Sequence, residues 1–265
     1  MNRKELEVYL ELAKDMAYEA GEIMKKYFGK NPESELKEDS TIVTIADKEI
    51  NDMVISRIEA RFPEHAVDGE EASNIKATPN LWVCDPIDGT NPFAMTLAVS
   101  VFSLAYVYDG EPLVGVVYDP FTDRMFWAIK DQGAYLNGSR TYVNSKQLEP
   151  ASRVNFDWWA NAEYDILTPL VEISKKTNIY LLSPGSTTHA AALVAQGDFV
   201  ASVFPGTKGK NVDIAAVKVI VEEAGGKVTD LFGEEQRYDG DIRGAIVSNG
   251  LVHDELVNEM KRRYL

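Results

Sequence analysis

The sequence predicts an α/β protein, a layered sandwich in which helices flank β-sheets. Apolar residues recur with helical period near both ends of the chain, and short apolar runs bounded by turn residues lie between. Helices and strands alternate, with no internal repeat or low-complexity segment. Apolar residues make up 45% of the 265, enough to bury a substantial core. Nothing reads as a flexible linker, so one catalytic-sized unit of two lobes is expected, at about 1–148 and about 149–265.

Leu6, Tyr9, Leu10, Ala13, Ala17, Ala20, Ile23, Met24 and Tyr27 share one stripe of a long opening helix. It stops before the breaker Gly29-Lys30-Asn31-Pro32. A second helix over 46–61 ends before Phe62-Pro63. Leu81-Trp82-Val83-Cys84 predicts a buried strand, and further strands are expected over 99–107, 113–118 and 124–129. Turn clusters at Asp109-Gly110 and Leu136-Asn137-Gly138 separate them. Beyond 148 a strand over 179–182 precedes a helix over 186–196 closed by Gly197. A helix over 213–224 ends at Gly225-Gly226, and the chain closes on a helix near 254–263.

Charge narrows the function. With 42 acidic against 27 basic residues, net charge is −15, which repels nucleic acid and anionic membranes. No apolar run is long enough to span a bilayer, and the stretch from Met1 to Glu7 lacks the apolar segment of a secretory signal. Cys84, the only cysteine, cannot form an internal disulfide, so a cytoplasmic protein is expected. In so acidic a chain, an anionic substrate requires positive charge in the site, which bound metal cations would supply.

The most informative stretch is Asp85-Pro86-Ile87-Asp88-Gly89-Thr90, just past the predicted strand. Asp85 and Asp88 flank a proline-fixed turn, so both carboxylates can meet at one point, with the Ile87 carbonyl between them. Hard oxygen donors of this kind suit magnesium. Gly89 permits close backbone approach, and Thr90 adds a hydroxyl. Alone, the motif also fits a surface Asx-turn. Glu70-Glu71 alone fits a solvated loop, and Asp213 alone an ordinary helix-opening acid. Together, and with Lys37, Asp39, Ser40, Val43, Thr44 and Asp47 upstream, they form a signature.

The sequence resembles the inositol monophosphatase superfamily, which includes archaeal-type fructose bisphosphatases, histidinol phosphatases and nucleotide 3′-phosphatases. The matching text is Lys37-Glu38-Asp39-Ser40, Val43-Thr44-Ile45-Ala46-Asp47 and Gly69-Glu70-Glu71. It continues with 82–90, Gly185-Ser186-Thr187, Asp213-Ile214-Ala215-Ala216 and Glu223-Ala224-Gly225-Gly226. The resemblance implies an αβαβα sandwich of the sugar phosphatase type and hydrolysis of a small phosphorylated metabolite with two or three magnesium ions. It implies that Glu70, Asp85 and the Ile87 carbonyl bind a first ion, and Asp85, Asp88 and Asp213 a second. Asp47 and Thr90 then match the dyad that activates the attacking water, with Glu70 assisting. The amides of Gly89 and Thr90 would hold phosphate, and Gly185, Ser186 and Thr187 would meet the alcohol. A homodimer and sensitivity to lithium follow from the same likeness. A catalytically silent metabolite or metal sensor is the alternative outside the enzymes, and the intact set of Asp47, Glu70, Asp85, Asp88, Thr90 and Asp213 argues against it.

Some positions depart from the family pattern. Val212 stands where the family has Trp, and Asn91-Pro92-Phe93-Ala94 lacks later residues of its loop. Gly206 stands where inositol-selective members carry a carboxylate. Lys208 and Lys210 are either a solvated loop or a contact for a second anionic group of the substrate. His65, His189 and His253 show no ligand spacing and read as surface or helix residues, and Trp158-Trp159 as a core or subunit contact.

Overall fold

A computed structural model describes residues 2–30, 34–36, 42–159, 162–206 and 211–265. Helix α1 (Arg3–Tyr27) is capped by Asn2, whose Oδ1 accepts from Glu5 N at 3.0 Å, and it buries the predicted stripe from Leu6 to Met24 except for the half-buried Ile23. A short antiparallel pair, β1 (Ser34–Leu36) and β2 (Ile42–Thr44), leads into α2 (Ile45–Arg61). Then come β3 (Ala66–Gly69), β4 (Asn80–Asp88), the single-turn α3 (Thr90–Ala94), β5 (Val101–Tyr108), β6 (Glu111–Asp119), β7 (Arg124–Ile129), β8 (Ala134–Leu136) and β9 (Ser139–Arg140). Among the described residues, β3 to β9 form one sheet in sequential order, antiparallel except for the parallel β3–β4 pair.

The second half supplies β10 (Arg153–Phe156), α4 (Leu167–Thr177), β11 (Tyr180–Leu182), α5 (Thr187–Ala195) and β12 (Ala201–Phe204). It ends with α6 (Asn211–Glu223), β13 (Lys227–Thr229), β14 (Ala245–Ser248) and α7 (His253–Tyr264). Its sheet has the order β11-β10-β12-β14-β13, with β11, β10 and β12 mutually parallel.

Strand alternation explains the layers. On β4 and β5, Trp82, Cys84, Phe102, Leu104 and Tyr106 face α1 and α2. Their neighbours Leu81, Val83, Val101, Ala105 and Val107 face α5 and α6, which also cover Phe204, Val228, Ala245 and Val247 of the second sheet. The outer face of that sheet packs Val154, Val203 and Ile246 on Leu170 and Ile173 of α4 and Leu256 and Met260 of α7. The result is the expected αβαβα sandwich. Both sheets are therefore buried on two faces, which explains their continuous apolar runs. Helix α6 is buried on every side from Asn211 to Val221, as a helix between two sheets must be. Gly115 on β6 admits it closely: a Cβ there would lie 2.3 Å from the Ala216 carbonyl oxygen.

His189 and His253 lie on helices as expected, but none of the three histidines is at the surface. His65 accepts from Trp82 Nε1 at 3.1 Å, and His253 bridges Thr229 and Ser248 at 2.9 and 2.8 Å. His189 sits between Val99 and Arg124. All three are buried because each ring nitrogen that enters the core finds a polar partner. Trp159 packs edge-on against Phe204, whereas Trp158 is exposed. Among the described residues no helix is long and apolar enough to cross a membrane.

Candidate active site

The chain around Asp85 and Asp88 is not a turn. Strand β4 continues through both, and its register with β5 slips between them, three steps on β4 matching two on β5. The partner strand β3 ends at Gly69, opposite Cys84, so beyond this point β4 is paired on one side only. Pro86, which has no N–H to donate, is tolerated there, and the bulge re-aims the carboxylates that flank it. Asp85 Oδ1 accepts from Ile87 N at 3.0 Å, fixing the bend locally.

Gly89 follows with φ +84°, the left-handed region, and starts α3. A Cβ at Gly89 would lie 3.0 Å from Ser186 Cβ and 3.1 Å from the Gly185 oxygen, so the glycine also allows the 185–186 loop to close on this strand end. That loop delivers the N-terminus of α5 onto Asp88. Ser186 Oγ donates to Asp88 Oδ2, and the amides of Thr187 and Thr188 donate to its two oxygens at 3.2 and 3.0 Å. The His189 amide adds a longer contact of 3.4 Å. Helix-terminal amides favour a carboxylate in this position.

Asp213 enters from the first turn of α6, and Thr188 Oγ1 ties the two helices together by donating to the Asp213 carbonyl at 2.7 Å. Carboxylate oxygens of Asp85, Asp88 and Asp213 thereby come within 4.8 Å of one another, all three side chains buried. Burial first, and then the Asp213 charge, push the Asp88 carboxyl well above its ordinary range, against the pull of Ser186 and the His189 amide.

Asp47 belongs to the first turn of α2. Its Oδ2 accepts from Thr44 N at 2.8 Å and from the Thr44 hydroxyl, a capping box that explains the Thr-Ile-Ala-Asp spacing. Its Oδ1 lies 3.1 Å from Thr90 Oγ1, and the Ile87 carbonyl lies 3.0 Å from the same hydroxyl. Two acceptors thus share one proton, and Thr90 joins Asp47 to the strand that holds Asp85 and Asp88. Burial raises the Asp47 carboxyl to about 6, outweighing the Thr44 hydrogen bonds, with the charges of Glu71 and Glu70 adding to the rise. Glu70 follows β3, with its amide donating to the Cys84 carbonyl at 3.1 Å, and it is not among the three acids that gather within 4.8 Å.

The structure thus brings Asp47, Glu70, Asp85, Ile87, Asp88, Gly89, Thr90, Gly185, Ser186, Thr187 and Asp213 to one end of the two sheets. Lys37, Asp39, Ser40, Lys208 and Lys210 lie outside the described residues. Sequence reading missed Asp157, a buried acid next to this set, raised to about 7 by burial and by Asp213 against the hydrogen bonds of Asn155 and Thr187. No local motif marks it.

Residues 5–264 match the inositol monophosphatase family. The chain belongs to that family. It is 36% identical over 218 residues to the fructose-1,6-bisphosphatase/inositol-1-monophosphatase of Thermotoga maritima, covering 82% of this chain and 81% of that one. It is 30% identical to the histidinol-phosphatase of Streptomyces coelicolor, covering 87% and 88%. Among solved structures, the Thermotoga maritima IMPase superposes with a TM-score of 0.83 at 32% identity, covering 98% and 97%. The protein is a phosphatase, an enzyme that hydrolyses phosphate monoesters. Inositol monophosphatases depend on metal, and the acidic triad could hold one.

The raised carboxyls set a pH dependence. Between about pH 4 and 7 the folded chain keeps protons on Asp47 and Asp157 that the unfolded chain has lost, because their ordinary value is 3.8. Stability then falls as pH rises through this window, since the native state binds more protons than the unfolded one. At about 1.4 kcal/mol per pH unit, Asp47 alone costs on the order of 3 kcal/mol at neutral pH. Chelated enzyme should therefore melt at higher temperature at pH 5 than at pH 7.5. A thermal transition that rises over that range would contradict the assignment.

Proposed function

We propose that this phosphatase is magnesium-dependent and acts on a small ester such as an inositol phosphate, a sugar phosphate or a related metabolite. Glu70, Asp85, the Ile87 carbonyl, Asp88 and Asp213 hold two or three ions. The convergence of Asp85, Asp88 and Asp213 within 4.8 Å supports this reading most strongly. Buried carboxylates this close cannot all ionise unless cations compensate them, and an all-oxygen donor set suits magnesium. The Ile87 carbonyl accepts from Thr90 and keeps a second lone pair for an ion.

Bound there, magnesium supplies the positive charge that a phosphoryl transition state requires and makes water more acidic. The chain's own residues then position the reactants. Thr90 orients water and passes its proton to Asp47, whose raised carboxyl is a base matched to near-neutral pH. The Gly89 and Thr90 amides hold phosphate, and the 185–187 loop meets the alcohol.

The Thermotoga relative is named for both a sugar bisphosphate and an inositol phosphate, which favours fructose-1,6-bisphosphate as the alternative substrate. Nucleotide 3′-phosphates stay within the same chemistry. Lithium inhibition belongs to the proposal because a small cation suits the same oxygens. So does a homodimer, supported by exposed Tyr180 and Leu182 on the edge strand β11. The buried free thiol of Cys84 fits a cytoplasmic setting.

Phosphate release from a panel of metabolite monoesters and bisphosphates, with magnesium and after chelation, tests the reading. Magnesium-dependent release from a polyol or sugar ester is expected. Release undiminished by thorough chelation would contradict it.

A further inference from the structure

Glu70 and Asp213 enter the site from separate elements, the end of β3 and the first turn of α6. The loop that carries Glu70 is closed on itself. Val67 and Asn74 exchange backbone hydrogen bonds at 3.0 and 2.8 Å across its neck. Inside it, Ser73 Oγ accepts from Gly69 N at 3.2 Å and donates to Asp68 Oδ1 at 3.1 Å. Asn51 of α2 donates to the Ala72 carbonyl at 2.9 Å. A Cβ at Gly69 would lie 2.3 Å from Asn51 Oδ1, so the loop sits hard against α2. A loop so cross-linked is one rigid piece, carried at the end of the edge strand of its sheet.

Asn211 ties this piece to α6. Its Nδ2 donates to Asp68 Oδ2 at 3.1 Å and to the Tyr238 carbonyl at 3.1 Å. Two acceptors fix the orientation of the amide, because only its nitrogen can face both. Asn211 is 2% exposed, so water has little access to these bonds, and the one to a carboxylate is charge-assisted. Tyr238 is itself anchored, its amide donating to the Gly110 carbonyl at 2.9 Å in the turn between β5 and β6. Asp213 lies two residues beyond Asn211, in the same helical turn. The Asp68–Asn211 bond therefore runs from the loop of one proposed metal ligand to the helix start of another. Both residues lie just outside the stretches that match the family, so the likeness does not account for them.

We propose that Asn211 is a positioning residue for the metal centre: its bond to Asp68 fixes the Glu70 loop relative to Asp213, and so the spacing at which these carboxylates meet magnesium. It acts through those ligands and not on the substrate. Ligands drawn from two elements bind tightly only where both elements are already in place, since ordering them on binding costs affinity. This rests on the reading of Glu70, Asp85, Asp88 and Asp213 as a magnesium centre.

Calorimetric titration of magnesium into chelated protein tests it with Asn211→Leu, Asp68→Leu, their combination and Asp68→Asn. Asn211→Leu and Asp68→Leu should each weaken magnesium binding roughly tenfold. The combination should weaken it little further, because both changes break one bond. Asp68→Asn removes the charge but keeps an oxygen that accepts from Asn211, so it should retain most of the affinity. Equal losses in Asp68→Asn and Asp68→Leu would make the effect one of charge alone and overturn the proposal. Wild-type affinity in both leucine variants, or losses that add in full, would overturn it too and leave the bond a pin for α6 without a role at the centre. Magnesium binding by the wild type upholds the centre in all these outcomes, whereas a wild type that binds none contradicts the centre and this role with it. Should Asn211→Leu lack a cooperative thermal transition, Asp68→Leu against Asp68→Asn, at the half-buried end of the bond, decides alone.

Discussion

Asp85→Asn is expected to lower kcat by roughly a thousandfold, the largest single loss in the molecule. In the proposed centre Asp85 would be a ligand of both ions, so neutralising it would remove charge from both at once. The substitution is chosen because an asparagine oxygen can still accept from Ile87 N, the contact that Asp85 Oδ1 makes at 3.0 Å. The bulge in β4 should survive, and the thermal transition of chelated protein should not fall. It should rise, because one of three crowded buried carboxylates has gone. Asp47→Asn should cost less activity than Asp85→Asn, since Asp47 acts through Thr90 rather than on the ions. Steady-state rates in the reverse order would show that the bridge is assigned to the wrong residue.

Thr90→Val comes next, with kcat lowered roughly a hundredfold or more and KM little changed. Valine keeps the branched shape and removes only the hydroxyl that lies 3.1 Å from Asp47 and 3.0 Å from the Ile87 carbonyl. Thr90→Ser, which restores the oxygen, should recover most of the rate. The pH profile separates this role from a packing role. Asp47 must be ionised to take a proton, and its carboxyl is raised to about 6, so kcat should fall as pH drops through that value. Thr90→Val and Asp47→Asn should both flatten that acid limb. An unchanged limb in both variants would detach the dyad from proton transfer.

The sequence was most legible where a pattern runs long. The α1 stripe and the apolar run ahead of Asp85 both stand in the structure, because many residues repeat the same demand. Short elements were less visible: β10, β12, β13 and β14 have three or four residues each and pair with partners distant in the chain, as in Ala201 with Ser248. So brief a segment carries no periodicity of its own. The 85–88 segment read as a turn because Pro86 argues against a strand. Only the early end of β3, invisible in the sequence, makes the proline acceptable.

The candidate site divides in the same way. Asp85, Asp88 and Asp213 each fit a bland local role, and their spacing relative to Glu70 and Asp47 made them a set. Asp157 offered no such spacing: Asn155, which bonds both Asp157 and Ser202, and the parallel pairing of β10 with β12 set its place. The histidines read as surface or helix residues, and although His189 and His253 do lie on helices, the burial of all three escaped the sequence for a related reason. Their burial depends on distant partners such as Trp82 for His65 and Arg124 for His189.

The central claim is that the buried aspartates are a magnesium centre. Calorimetric titration of magnesium into chelated enzyme, run beside phosphate release, tests it most directly. Wild type should bind magnesium in proportion to the activity regained, and Asp85→Asn and Asp213→Asn should each weaken binding by roughly tenfold or more while remaining folded. Full activity without bound magnesium, or undiminished binding in both variants, would contradict it.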